Sequence, residues 1–158
     1  MKVGIIGGGR VGSRLAASLR EAGVLVGVTA ASEQHSAQMA QQFGVPATDN
    51  AKLWQAADVL LLTVPDRLIG TVAEEVAQSV TPAAKVVLHV SGSVGLEPLA
   101  PLAQLGAHVG SLHPLQSFAG GNTKLAGVYM ALDGDSEAQD AGKKLVELFG
   151  GKAFSGPA

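Results

Sequence analysis

Apolar residues in this chain come mostly as short continuous runs, and the stretches between them carry apolar residues every three to four positions. These runs lie in the predicted strands Val3 to Ile6, Val24 to Thr29, Val59 to Val64 and Lys85 to Val90. Runs without polar alternation suit strands covered on both faces, as in a parallel sheet. Between them, Leu15, Ala16 and Leu19 share one helical face, and so do Ile69, Val72, Val76 and Val80. Caps and breakers give the boundaries. Gly23 closes the first helix, and Ser32 opens a second through Phe43 that Gly44 ends. Val45-Pro46-Ala47 reads as a short third strand, and Asn50 as the cap of a brief helix with Leu53 and Trp54. Asp66 reads as the cap of the Ile69–Val80 helix.

Further along, a Pro-interrupted helical stretch covers about Leu96 to Leu105, and a strand covers Ala107 to Leu112. A loop of about a dozen residues runs from Pro114 to Ala126, a length usually functional in a compact domain. A strand at Gly127–Leu132, a helix at Ser136–Phe149 and a short strand at Lys152–Phe154 complete the chain. Strands alternating with helices predict an α/β fold with a doubly wound, largely parallel sheet. Residues 1–154 are expected to form the domain, and 155–158 to begin a linker.

Composition narrows the function classes. The chain has 158 residues, about one domain. Its 11 basic and 13 acidic residues form no basic cluster, and only 4% are aromatic, so nucleic acid is not expected as a partner. With no cysteine, it has no thiolate ligand and no disulfide. No ligand spacing suggests a metal site. The first strand begins at once, without a charged leader, and no apolar run is long enough for a membrane. The expectation is a cytoplasmic protein.

The first strand runs into Gly7-Gly8-Gly9-Arg10-Val11-Gly12 and then a helix. This is the G-x-G-x-x-G dinucleotide pattern in its required strand–helix context. Gly7 permits the tight turn, Gly9 admits a diphosphate, and Gly12 lets the helix lie close to the strand. The helix start then offers N–H groups and a positive dipole end. About 20 residues on, an acidic residue would mark NAD, but Thr29-Ala30-Ala31-Ser32 stands there. Without that carboxylate, and with Ser32, His35 and Arg10 in reach of a phosphate, NADP is expected, with NAD as the alternative. Val64 closes the Val59–Val64 strand and Pro65-Asp66 follow it, with Asp66 read as a helix cap in preference to a catalytic acid. Ser91-Gly92-Ser93 follow the Lys85–Val90 strand. These are ligand positions in an open α/β sheet. His113 also follows a strand, at its C-terminal end, where a histidine can work as acid or base. His89 reads as a satisfied core residue, and His35 and His108 as surface or strand-edge residues.

Taken together, the glycine turn, Leu62-Thr63-Val64-Pro65-Asp66, His89-Val90-Ser91-Gly92-Ser93 and Gly110 to Phe118 carry a family resemblance. In this order they resemble the Rossmann-like N-terminal domain of the 6-phosphogluconate dehydrogenase-like superfamily. The nearest likeness is to a branch of NADP-dependent oxidoreductases with Ser-Gly and His-Pro-Leu-Gln-x-Phe segments. More distantly the chain is similar to prephenate dehydrogenase, pyrroline-5-carboxylate reductase and F420-dependent NADP reductase. The resemblance implies Ser93 and His113 as active-site residues. The glycine motif and the strand ends themselves give Gly7, Gly8, Gly9, Arg10, Val11, Gly12, Ser32, Val64, Pro65 and Ser91 as the expected cofactor contacts. An arginine often follows the second strand in that branch, and alanine stands here. Relatives also continue into a helical domain that dimerises, which implies a homo-oligomer. The expected activity is hydride transfer between NADP(H) and a small hydroxy or imino substrate. The alternative is a non-catalytic nucleotide-binding or redox-sensing module.

Overall fold

The structure, a computed structural model, describes residues 1–115 and 125–155. Its strands are β1 (Val3–Ile6), β2 (Leu25–Thr29), β3 (Val59–Leu62), β4 (Val86–His89), β5 (His108–Pro114), β6 (Tyr129–Gly134) and β7 (Lys152–Ser155). They form one sheet in the order β2-β1-β3-β4-β5-β6-β7. From β2 to β5 every pairing is parallel; β6 runs antiparallel to β5, and β7 parallel to β6. The fold is therefore α/β, doubly wound and largely parallel, as the pattern predicts.

Helices cover both faces because alternate side chains of the continuous runs point to opposite sides. Val3, Ile5, Val59 and Leu61 join the core beneath α1 (Arg10–Glu21), α2 (Glu33–Phe43) and α6 (Ser136–Phe149). Ile6, Leu60 and Leu62 join the opposite core, beneath α3 (Asn50–Ala56), α4 (Ile69–Ser79) and the single-turn α5 (Ala100–Ala103). Trp54 is 1% exposed there and donates its indole N–H to Thr81 O at 3.0 Å.

Several boundaries depart from the sequence expectation. Val45-Pro46-Ala47 is not a strand, and β2 remains at the sheet edge. The Val45 N–H is used to close α2 on Ala40 O at 3.0 Å, and Pro46 has none to offer a ladder. Asp49, not Asn50, caps α3, its Oδ1 accepting from Lys52 N. Asp66 caps nothing; it opens a short 3₁₀ turn, Asp66–Leu68, that leads into α4. β6 starts at Tyr129 instead of Gly127, whose N–H goes to Gly150 O. β5 runs on to Pro114, so His113 lies within its last turn of ladder, and β7 takes in Ser155. Most of the expected Pro114–Ala126 loop, including Gln116, Ser117 and Phe118, lies outside the described residues, as do residues 156–158. No helix among the described residues is long and apolar enough to cross a membrane.

Candidate functional site

The sheet reverses its winding direction between β1 and β3, and ligands bind at the strand C-termini beside such a point. The glycine turn after β1 is fixed there. Gly7 has φ +127°, and its N–H donates to Thr29 O at 2.7 Å. Buried Thr63, one residue past β3, donates its hydroxyl to Gly7 O at 3.0 Å. A Cβ on Gly12 would lie 2.6 Å from that hydroxyl and 2.7 Å from Gly7 O, so α1 rests directly on the turn. Thr63 thus ties the ends of β1, α1 and β3 together. Sequence reading missed this role, because a threonine closing an apolar run gives no local signal of it.

Gly9 has φ +104°, and a Cβ there would meet nothing within 4 Å. It precedes α1 with no side-chain cap, and the first turn holds no acidic residue. Its neighbour Arg10 is exposed, whereas Val11 turns inward against the core, so Val11 offers the site its backbone. Gly8 lies under His35, whose Cε1 would sit 2.6 Å from an added Cβ. On the far side of β1, Ser32 caps α2 by accepting from His35 N at 3.0 Å. Across the crevice, Val64 packs on the α4 face and Pro65 is exposed.

The ends of β4 and β5 bring the remaining candidates together. Ser93 Oγ donates to Asp66 Oδ2 at 2.9 Å, so Asp66 holds a serine of the neighbouring loop. Ser91 Oγ accepts from Ser93 N at 3.2 Å and lies 3.4 Å from Ser93 Oγ. His89, fully buried, organises this loop: its Nδ1 accepts from Ser91 N at 3.1 Å and its Nε2 donates to Gly95 O at 2.8 Å. It is the satisfied core histidine that the sequence suggests, and it shapes the site as well. His113 Nδ1 donates to Val90 O at 3.3 Å, leaving Nε2 as the acceptor of the neutral ring. The ring lies against Gly92, where any Cβ would run into its Nε2, Cδ2 and Cε1.

Ser32, the glycine turn, Val64–Pro65 and Ser91–Ser93 follow the C-terminal ends of four adjacent strands, and His113 lies in the last residues of the fifth, β5. At about 4.8 Å per strand they span roughly 19 Å. That is room for an extended dinucleotide, with the Ser93–His113 end opposite the Ser32 end. The glycine cradle fits a diphosphate by the open space at Gly9 and the uncapped helix start.

One grouping of metal-ligand atoms occurs among the described residues: His108, Asp135 and Glu137, within 4.8 Å of one another. It lies at the other end of the sheet and is explained by helix capping. Asp135 Oδ1 caps α6 at Ala138 N, and His108 Nδ1 lies 2.8 Å from Asp135 Oδ2. The bond to Asp135 raises the His108 pKa against a smaller opposing effect of burial. Burial works to raise the Asp135 pKa, but the Ala138 N–H and His108 outweigh it and lower it. A raised histidine pKa stabilises fully below the ordinary value near 6.5 and is lost as pH rises through the folded value. The lowered carboxylate keeps its share until pH falls through its own folded value. His108→Gln should therefore lower Tm slightly at pH 5.5 and leave it unchanged at pH 9, in a thermal scan across pH. An equal loss at both would assign the effect to packing.

This architecture defines an α/β domain of the doubly wound class. The chain belongs to the Rossmann-like domain family, whose model matches residues 1–114. No curated protein matches it. Among solved structures, arogenate dehydrogenase of Synechocystis matches with TM-score 0.78 and 23% identity over 99% of this chain and 59% of that one. Pyrroline-5-carboxylate reductase of Coxiella burnetii matches with TM-score 0.75 and 20% identity, covering 99% and 59%. Prephenate dehydrogenase of Aquifex aeolicus, in complex with hydroxyphenyl propionate and NAD+, matches with TM-score 0.72 and 22% identity, covering 99% and 60%. The chain thus spans about three-fifths of these relatives' length.

Proposed function

We propose that this chain is the NADP-binding domain of an oxidoreductase that moves a hydride between NADP(H) and a small hydroxy or imino compound. The observation that carries the reading is the uncapped, open start of α1 at Gly9, locked by Thr63 at the reversal point of the sheet. Gly7, Gly8, Gly9 and the N–H groups of Arg10, Val11 and Gly12 would hold the diphosphate. Ser32 would face the adenosine end, and Val64, Pro65 and Ser91 would border the nicotinamide half. When bound, the dinucleotide supplies the hydride donor or acceptor. The kinds of enzyme that share this fold, dehydrogenases and a reductase, support the same reading.

The chain's own groups serve the proton. His113, whose Nδ1–H is engaged with Val90 O, has Nε2 to take or return the proton of a substrate hydroxyl or amine. Ser93, oriented by Asp66, would hold that same group in line.

The site can be located without a substrate. Imidazole NMR signals should respond to NADPH at His35, beside Gly8, and at His113. His108 should not move, since it lies at the opposite end of the sheet. A shift at His108 with none at His35 and His113 would place the dinucleotide elsewhere and overturn the reading.

A further inference from the structure

At the end of β2 the chain has neither a carboxylate nor an arginine, the side chains that commonly distinguish the two adenosine riboses, because Ala30 and Ala31 stand there. The fold supplies both charges from other elements. A cleft of about 460 Å³ opens beside Thr29 and Ser32, lined by Glu33 of α2 and by Lys52 of α3. The seating of α3 is well determined. Leu53 packs over Gly4 of β1 and Gly27 of β2, where added Cβ atoms would come within 2.7 Å of its side chain. Thr29 Oγ1 donates to Asn50 Oδ1 at 2.7 Å and fastens the start of α3 to the buried end of β2. Asp49, the other acid of the cleft, has one carboxylate oxygen engaged with Lys52 N at 2.8 Å.

We propose that Lys52, opposed by Glu33, sets the preference between NADP(H) and NAD(H); this rests on the reading of the glycine turn as a dinucleotide site. Lys52 would meet the 2′-phosphate as a mobile point charge, not as the bidentate fork of an arginine. Ser32 would add a hydroxyl, and Glu33 would weaken the phosphate's binding by repulsion. A ribose with two hydroxyls offers Lys52 no charge to meet, while Glu33 can only accept hydrogen bonds from it. Both therefore work on the difference between the two dinucleotides, which is what specificity is.

The test measures dissociation constants of NADPH and NADH for the full chain and its variants. Lys52→Gln should weaken NADPH about tenfold, the worth of one exposed charge-assisted contact, and leave NADH within about twofold. Lys52→Arg should retain NADPH binding. Glu33→Gln should tighten NADPH about threefold without strengthening NADH, and both effects should shrink in about 1 M salt. Equal weakening of both dinucleotides by Lys52→Gln, or no change in NADPH, would overturn the assignment while the glycine-turn site stands. Failure of the unaltered chain to bind either dinucleotide would instead overturn the glycine-turn reading.

Discussion

Gly9→Asp is expected to weaken NADPH binding by at least about a hundredfold while the chain still folds. An added Cβ at Gly9 meets no protein atom within 4 Å, so the fold offers no steric objection at that atom. The backbone does object: φ +104° with ψ −172° is essentially glycine-only territory, and a side chain there costs about 1–3 kcal/mol. The larger effect is on the ligand. A carboxylate about 4 Å from a diphosphate charge is repelled by roughly 4 kcal/mol at an effective dielectric of 20. Gly9→Ala carries the same backbone strain without the charge, and so separates the two causes. Calorimetry should rank wild type above Gly9→Ala and both far above Gly9→Asp. Equal affinity for wild type and Gly9→Asp would place the diphosphate elsewhere.

The second large effect is on the fold. Gly12 and Gly70 both lie in helices, and in an open helix alanine outperforms glycine by about 0.5–1 kcal/mol. At Gly70 the added Cβ would meet Pro98 at an ordinary 3.7 Å, so Gly70→Ala should stabilise by about that amount. At Gly12 it would lie 2.7 Å from the Gly7 carbonyl, backbone that cannot swing aside, and 2.6 Å from Thr63 Oγ1. Gly12→Ala should therefore destabilise by about 2 kcal/mol, a Tm fall of roughly 4–8 °C, and loosen the cofactor turn with it. Opposite signs for one substitution at two helical glycines would be the signature of this packing. Matching signs would show that α1 can move off the turn.

Local signals in the sequence carried much of this fold. The Val59–Leu62 run, the glycine turn and the span of α6 from Ser136 to Phe149 are set by apolar period, glycine and caps, all readable over a few residues. What escaped depends on partners distant in sequence. Strand direction leaves no trace in periodicity, so antiparallel β6 could not be told from another parallel strand. Asp66 looks like a helix cap locally, yet it accepts from Ser93, 27 residues away. Glu33 and Lys52 belong to one cleft only because Leu53 and Asn50 seat α3 against β1 and β2. Likewise the lock at Thr63 pairs it with Gly7, 56 residues earlier. The strand-end positions of Ser93 and His113 and the burial of His89 were legible, but not the bonds by which His89 shapes their loop.

Calorimetric titration of the chain with NADPH, and separately with NADH, at low salt tests the central claim most directly. The account predicts saturable binding at one site, tighter for NADPH. Absence of saturable heat with either dinucleotide, at concentrations up to about 1 mM, would contradict it.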